Sequence, residues 1–267
     1  MKPLLWINPK KTNSNIVISD ITILEKKWLK LLKWRWVFDW IPFVDFALVA
    51  GSMAMGEARE DSDFDIILGC KKGRMFTARA FIILFFNILG KRKKRRHTKQ
   101  ESKNKFCFNH FVTPASYTLR PPYNLYWQTL YRNLVPIYGK EKNIQEFFSA
   151  NQWAHSGSGS STSRGKSNFE NRFKKKQSHP FRTPAEFLLG SFLGTPLEYL
   201  LARYQLKRIK KGMSRFRVAP RSASWRIPRN SALVRVHANE NELELHPDTS
   251  RIEEWLQKSE SQNNSKN

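Results

Sequence analysis

Short apolar runs of strand length alternate with longer apolar or amphipathic stretches along the first 155 residues. The runs Phe46 to Ala50, Asp63 to Cys70 and Phe106 to Val112 have the length and the aromatic or β-branched content of buried strands. A longer apolar stretch, Phe76 to Gly90, separates the second run from the third. Strands that alternate with a helix of this length are typical of an α/β (α+β) fold, which we therefore predict.

Amphipathic helices flank the predicted strands. Thr22 and Glu25 have the spacing of a capping box that opens a helix. The apolar residues around them recur at helical intervals, namely Ile21, Leu24, Trp28, Leu31 and Leu32. Further along, Tyr123 to Leu130 and Glu141 to Trp153 predict two helices, with Val135 to Gly139 as a short strand or turn between them.

The apolar stretch Phe76 to Gly90 is the best candidate for a membrane segment in the sequence. It contains Arg79, and it is shorter than the roughly 20 apolar residues that a transmembrane helix needs. We predict a crossover helix of the α/β domain and no integral membrane segment. The alternative is a helix on a membrane surface, because the basic run 91–96 that follows would favour anionic lipid.

The C-terminal third of the chain has a different composition. Residues 156–170 are rich in Ser and Gly, which is typical of a flexible linker. Ala185 to Met213 predicts a long helix that Gly194-Thr195-Pro196 kinks or splits. Leu233 to Val236 and Glu242 to Leu245 predict a small hairpin, and a last helix is predicted from Ser250 to Lys258.

These features predict five parts of the chain. Residues 1–19 are a loose lead-in, residues 20–155 the α/β domain and residues 156–182 a flexible, basic linker. A mainly helical, basic C-terminal region with the hairpin covers residues 183–258, and a disordered tail covers residues 259–267.

The charge of the chain indicates polyanionic partners. There are 47 Lys and Arg against 22 Asp and Glu, so that the formal net charge is +25. Such an excess is typical of proteins that bind nucleic acids or nucleotide phosphates, although a generally basic, solvated surface is the alternative. Three basic clusters, 91–96, 172–176 and 207–217, predict an RNA partner whose binding is steeply salt-dependent.

The two cysteines, Cys70 and Cys107, exclude two classes of small domain. They lie far apart without a CxxC spacing, which excludes a zinc ribbon and gives no disulfide framework. We therefore predict a protein of the reducing cytoplasm. The sequence also has no P-loop, Rossmann fingerprint or G-x-S-x-G elbow.

The strongest candidate for chemistry is the segment from Gly51 to Asp65. Alternate residues of a strand point to one side, so Asp63 and Asp65 present two carboxylates together. Such a pair is suited to Mg²⁺ or Mn²⁺, with the remaining ligands from water and a substrate's phosphates. Gly51-Ser52 allows the backbone to approach those phosphates. The alternative is a solvated turn followed by an edge-strand charge.

This segment resembles the signature of the polymerase-beta-type nucleotidyltransferase superfamily. The match consists of Gly51-Ser52, the spacer Met53 to Ser62, and Asp63-Phe64-Asp65-Ile66. The resemblance implies a small mixed sheet flanked by helices. It implies metal binding and catalysis by Asp63 and Asp65, with Gly51, Ser52 and Ser62 on the nucleotide phosphates.

One part of the superfamily pattern is missing. A third carboxylate usually stands on the next strand, where the polar residues here are Asn109 and His110, on opposite faces by strand alternation. Residues 123–153 resemble a subgroup of uncharacterised bacterial nucleotidyltransferase-domain proteins, and that subgroup often has Asn at this place. Either metal polarisation alone activates the acceptor, or His110 or Glu57 substitutes, or nucleotide is bound without turnover.

The resemblance implies transfer of a nucleoside monophosphate from an NTP to a hydroxyl acceptor, with release of pyrophosphate. RNA and a small molecule are the main acceptor classes, and a protein acceptor is a third. The alternatives are a catalytically impaired nucleotide- or RNA-binding protein on the same fold, and a membrane-surface protein that uses residues 76–96. The base, the acceptor and the oligomeric state stay open.

Overall fold

The fold is described from a computed structural model. It describes residues 22–94, 98–121, 123–155, 172–192, 194–217, 235–246 and 250–264. The predicted lead-in 1–19 and the Ser/Gly-rich segment 156–170 lie outside these residues.

Seven strands within the described residues form one mixed sheet. In chain order they are β1 (Val44–Val49), β2 (Phe64–Cys70), β3 (Phe106–Val112), β4 (Val135–Gly139), β5 (Lys174–Lys175), β6 (Arg235–Ala238) and β7 (Glu242–His246). Their order across the sheet is β5-β4-β1-β2-β3-β7-β6. Two pairs, β2 with β3 and β4 with β5, are parallel, and the other neighbours are antiparallel. The predicted mixed α/β architecture is thus confirmed.

Helices connect and cover the strands. They are α1 (Ile23–Leu32), α2 (Gly51–Ala54), α3 (Met75–Ile88), α4 (Lys99–Ser102), α5 (Leu125–Arg132), α6 (Glu141–Ala150), α7 (Arg182–Gly190), α8 (Gly194–Arg217) and α9 (Ser250–Asn264). Short 3₁₀ turns lie at Arg35–Asp39, Pro114–Ser116 and Gln152–His155. The capping box that the sequence predicts is present, because the Thr22 side chain accepts from the Glu25 amide and Glu25 accepts from the Thr22 amide.

The sheet has a hydrophobic core on each face, because strand alternation sends neighbouring side chains to opposite sides. In β2, Phe64, Ile66 and Leu68 belong to the core under α1 and α3. Ile67 belongs to the other core, which contains Trp127 of α5 and residues of α6. Both faces are therefore covered around the middle strands.

The apolar run around α3 is a crossover helix, as predicted. It connects β2 to the parallel strand β3, and Phe76, Ala78, Ile82 and Phe86 on one side of it are buried. Within the described ranges, no helix combines the length and the apolar character needed to cross a membrane.

The C-terminal region departs from the predicted division of the chain. The hairpin β6–β7 forms, but β7 also pairs with β3 and so extends the sheet of the α/β domain. The predicted long helix is split into α7 and α8 immediately before Gly194, as the sequence indicates. The tail predicted to be disordered from residue 259 is helical through Asn264, because α9 continues without a break.

A carboxylate from α8 caps the start of α3. Arg74, the N-cap residue of α3, makes no side-chain hydrogen bond to the first turn of the helix. Instead, Glu198 accepts from the amides of Phe76 and Thr77, both at 2.8 Å, and from the Thr77 hydroxyl at 2.6 Å. A negative charge at a helix N-terminus also interacts favourably with the helix dipole. This contact fixes α8 against the crossover helix.

Replacement of Glu198 by Ala should lower the free energy of unfolding by about 2 kcal/mol, because it leaves donors at the buried start of α3 without an acceptor. Urea denaturation of wild type and variant measures this difference. Glu146→Ala is the matched control, because the Glu146 side chain is half exposed and forms a long ion pair with Lys142 at 3.9 Å. Equal losses in the two variants would contradict the capping role.

Candidate active site

The two predicted metal ligands lie together at the start of β2. Asp63 immediately precedes the strand, and Asp65 is its second residue. Ligand atoms of Asp63, Asp65 and Cys107 all lie within 4.8 Å of one another. The Asp63 side chain is 1% exposed, whereas Asp65 is half-buried. The structure therefore places both carboxylates on one side of the strand, and Asp65 at the more open position.

Cys107 is a member of this cluster that the sequence did not reveal. It stands opposite Asp65 in the parallel pairing of β2 with β3. Burial, and then the nearby charge of Asp65, raises the pKa of the Cys107 thiol well above its usual range. The neutral thiol is hydrogen-bonded to the Asp65 carboxylate. The neighbouring strand thus provides a thiol beside the aspartates, where the resemblance implies a carboxylate.

The turn at Gly51 lies directly against Asp65. Gly51 has a φ of +61°, and a Cβ at this position would stand 2.4 Å from Asp65 Oδ2. The Ala50 amide donates to the Asp65 carbonyl at 2.9 Å. Only glycine satisfies both the left-handed backbone and the close approach. The turn between β1 and α2 is therefore held over the aspartate pair.

The two predicted serines meet beside this turn. Ser52 Oγ and Ser62 Oγ are 3.3 Å apart, and Ser62 Oγ accepts from the Arg59 amide at 2.9 Å. Lys27 of α1 holds the segment that contains Ser62, because its Nζ donates to the Ser62 carbonyl at 2.6 Å. Gly51, Ser52, Ser62 and the two aspartates thus form one site.

A lysine from the basic run 91–96 reaches into the site. Lys93 Nζ lies 2.6 Å from Asp63 Oδ2. Burial by itself lowers the pKa of Lys93, but the acidic groups around it outweigh burial and raise the pKa above its usual value. Lys93 is therefore charged and neutralises part of the aspartate pair. Residues 95–96 of this run lie outside the described part of the chain.

Most cations of the basic cluster 172–176 make contacts within the protein, while the Lys175 side chain is exposed. Lys174 pairs with Asp39, and Lys176 pairs with Glu186 and donates to the Val44 carbonyl. The Arg172 guanidinium lies 4.2 Å from the ring centroid of Trp28. In the third cluster the side chains of Lys207, Arg208, Lys210 and Lys211 are exposed.

Asn109 and His110 do not lie on opposite faces, so the prediction from strand alternation was wrong. The pairing of β2 with β3 shifts between Asp65–Cys107 and Ile67–His110, which places an extra residue in β3. As a result, both side chains approach His246 of β7. Asn109 Nδ2 is 3.2 Å from His246 Nδ1, and the rings of His110 and His246 are 6.0 Å apart.

A buried ion pair lies beside these histidines. Arg235 on β6 donates to both carboxylate oxygens of Glu244 on β7, at 2.6 and 3.1 Å. Burial lowers the pKa of His110 to about 3 and that of His246 to about 4, with Arg235 adding to the effect in both. The two imidazoles are therefore neutral at physiological pH.

The aspartate cluster and the histidine cluster offer different donor atoms, which suit different ligands. Asp63 and Asp65 are hard oxygen donors within reach of one another, which fits Mg²⁺ or Mn²⁺ together with phosphate oxygens. His110, Glu244 and His246 also converge within 4.8 Å, but both carboxylate oxygens of Glu244 already accept from Arg235. Glu57, a candidate substitute base in the sequence, accepts from the Trp255 indole at 3.1 Å. The aspartate cluster is thus the candidate metal centre.

Comparisons of the chain with protein-family models, with curated proteins and with solved structures find no match in any of the three.

Gly51→Ala should destabilise the protein by about 2 kcal/mol more than Gly56→Ala, because both positions have positive φ but only Gly51 faces another residue. At Gly56, with a φ of +77°, nothing lies within 4 Å of the added methyl group. Urea denaturation of both variants measures the difference. Equal destabilisation would show that the contact with Asp65 is dispensable to the fold.

Stability should fall steeply between pH 7.5 and pH 5 because of the two buried histidines. The folded-state pKa values of His110 and His246, about 3 and about 4, lie below the unfolded value of 6.5. The unfolded chain therefore binds more protons in this range, and stability present above pH 6.5 is lost as the pH falls. By pH 5 each histidine accounts for a loss on the order of 2 kcal/mol.

Urea denaturation of His110→Leu at the two pH values tests this assignment. The variant should lose about 2 kcal/mol less than wild type over the same change in pH. His155→Leu, a change at an exposed histidine, is the control and should leave the slope unchanged. An unaltered slope in His110→Leu would contradict the assignment.

Proposed function

We propose that the chain is a Mg²⁺-dependent nucleotidyltransferase of the polymerase-beta type. It would move a nucleoside monophosphate from an NTP to a hydroxyl acceptor and release pyrophosphate. The observation that carries the proposal is the placement of the Gly51-Ser52 turn against the paired carboxylates of Asp63 and Asp65. A turn that would bind phosphates and a carboxylate pair that would bind the metal would thereby share one site, which is what this reaction requires.

The residues of the site have separate roles in this proposal. Asp63 and Asp65 would hold Mg²⁺ or Mn²⁺, which when bound neutralises the triphosphate and polarises the reacting oxygens. The first amides of α2 at Gly51 and Ser52 lack partners within the helix and would donate to phosphate oxygens. The Ser52 and Ser62 hydroxyls, 3.3 Å apart, would donate to the same phosphates.

The chemical step follows from these roles. The acceptor oxygen forms a bond to the α-phosphorus while the bond from that phosphorus to the β-phosphate oxygen breaks. Pyrophosphate leaves with the electron pair of the broken bond. The hydroxyl proton would be released to water. Burial raises the pKa of the Cys107 thiol well above its usual range, so Cys107 would not serve as the base.

The proposal includes two classes of hydroxyl acceptor. RNA and a small hydroxyl compound both suit the reaction, and the formal net charge of +25 supports an RNA acceptor through phosphate contacts. A cytoplasmic setting follows from the cysteine usage and stays a prediction.

A nucleotide- or RNA-binding protein without transferase activity is the second candidate. Two observations favour it. Cys107 stands beside the aspartates where the superfamily pattern has a carboxylate, and Lys93 Nζ lies 2.6 Å from Asp63. A lysine at this distance offsets the negative charge that attracts a divalent cation.

Label transfer from α-³²P-labelled NTPs with Mg²⁺ tests the first proposal. Total RNA, the protein itself and pooled small hydroxyl compounds serve as acceptors. Asp63→Asn and Asp65→Asn should each lower transfer by about a hundredfold or more, because neutral amides bind and polarise the metal–triphosphate poorly. Chelation of divalent cations should abolish transfer.

Asp61→Asn is the matched control, since Asp61 lies in the preceding turn outside the cluster and should leave transfer unchanged. Full transfer by either Asp63→Asn or Asp65→Asn would overturn the proposal. NTP binding that depends on Asp63, without transfer to any of the acceptors, would identify the second candidate instead.

A further inference from the structure

Helices α7 and α8 are tied to the body of the protein through their inner faces. On α7, Glu186 accepts from the Phe43 amide at 2.8 Å and from Lys176 Nζ at 3.0 Å. On α8, Glu198 caps α3, and Gln205 donates to the Phe76 carbonyl at 2.9 Å. Arg74 holds the connection between the two helices through the Ser191 carbonyl. The opposite faces of α7 and α8 therefore point away from the body of the protein.

Large apolar side chains cover this outward side. Phe187 is 84% exposed, Phe192 82% and Leu200 63%. The set that we call the α7–α8 apolar surface consists of Phe187, Leu188, Phe192, Leu197, Tyr199 and Leu200. From its helical spacing the sequence predicts an apolar face of the long helix that includes Phe187, Leu188, Phe192, Leu197, Leu200 and Leu201. The structure packs Leu201 against the core but leaves the other five in solvent. Such a concentration of exposed apolar residues marks an interaction surface.

The outward side continues into cations along α8. Arg203, Lys207, Arg208, Lys210 and Lys211 are all exposed. Between positions 182 and 217 the sequence contains two acidic residues, Glu186 and Glu198, and both are engaged on the inner faces. Apolar side chains and cations thus share the outward side of α7 and α8 without a carboxylate among them.

We propose that the outward side of α7 and α8 binds the surface of an anionic lipid bilayer. Phe and Leu side chains would enter the headgroup region while the lysines and arginines of α8 meet lipid phosphates. The helices would lie on the membrane without crossing it.

The composition of the surface favours a bilayer over other occupants. RNA offers phosphates to the cations, but its backbone gives no apolar medium to Leu188, Phe192 or Leu200. A second copy of the chain would cover the apolar residues, but it would bring the cations of two α8 helices close together. A bilayer with anionic headgroups satisfies both the apolar and the charged residues. The inference does not depend on nucleotidyl transfer.

Flotation of the full-length protein with vesicles tests the proposal. Vesicles of phosphatidylcholine alone are compared with vesicles that contain phosphatidylglycerol, at low and at high salt. The protein should float with the anionic vesicles and remain behind with the neutral ones, and the bound fraction should fall as salt is raised. No flotation with anionic vesicles at low salt would overturn the proposal.

Two double variants separate the apolar and the charged contributions. Phe187→Ser with Phe192→Ser, and Lys207→Glu with Lys211→Glu, should each lower the partition coefficient at least tenfold. Ile23→Ser with Leu29→Ser on α1 is the matched control for exposed apolar residues and should bind as wild type does. Because the changed apolar positions are exposed, circular dichroism and thermal melts should be unaltered.

The remaining outcomes each overturn the proposal. If the variant Phe187→Ser with Phe192→Ser floats as wild type does, the interaction is non-specific charge attraction. An RNA affinity that falls in the phenylalanine variant, without flotation of wild type, would identify a nucleic-acid surface. Self-association that the same variant abolishes, again without flotation, would identify a second copy as the occupant.

Discussion

The close approach of Gly51 to Asp65 is the contact on which the candidate site depends. The chain leaves β1 at Ala50, turns with positive φ at Gly51 and passes directly over a carboxylate of β2, where any side chain would collide with Asp65 Oδ2. The antiparallel register of β1 with β2 fixes the position of this turn along β2. Beside this contact the Ser52 hydroxyl reaches Ser62 Oγ at 3.3 Å. A larger residue at position 51 would push the Gly51-Ser52 turn away from Asp65.

The excess of positive charge is divided between two uses. Several cations work inside the fold, where each has a carboxylate or carbonyl partner, as Lys27, Lys93, Lys176 and Arg235 do. Buried cations are tolerated only with such partners, because desolvation of an unpaired charge is costly. Other cations are exposed, and five of them, Arg203, Lys207, Arg208, Lys210 and Lys211, lie along α8 beside the apolar residues of α7 and α8. Net charge alone does not distinguish these two uses.

Local sequence signals predicted most of the helices and strands, but they did not predict which distant segments pair with one another. The bounds of β3 agree with its apolar run, and the capping box at Thr22 is present, because strand length and cap spacing are encoded within a few residues. The addition of the β6–β7 hairpin to β3 joins segments more than a hundred residues apart. The bulge in β3 likewise depends on its partner strand, so alternation counted along the sequence misplaced Asn109 relative to His110.

By itself the sequence determined the α/β class, the helical and strand segments, and the paired aspartates behind a Gly-Ser turn, since each follows from spacing along one stretch of chain. The tertiary structure alone decided that Cys107 and Lys93 stand beside those aspartates, and that His246 of β7 meets Asn109 and His110. It also decided that Phe187, Phe192 and Leu200 of α7 and α8 are left in solvent. The physical reason is that strand pairing and helix packing bring remote residues together, and no local periodicity records which residues will meet.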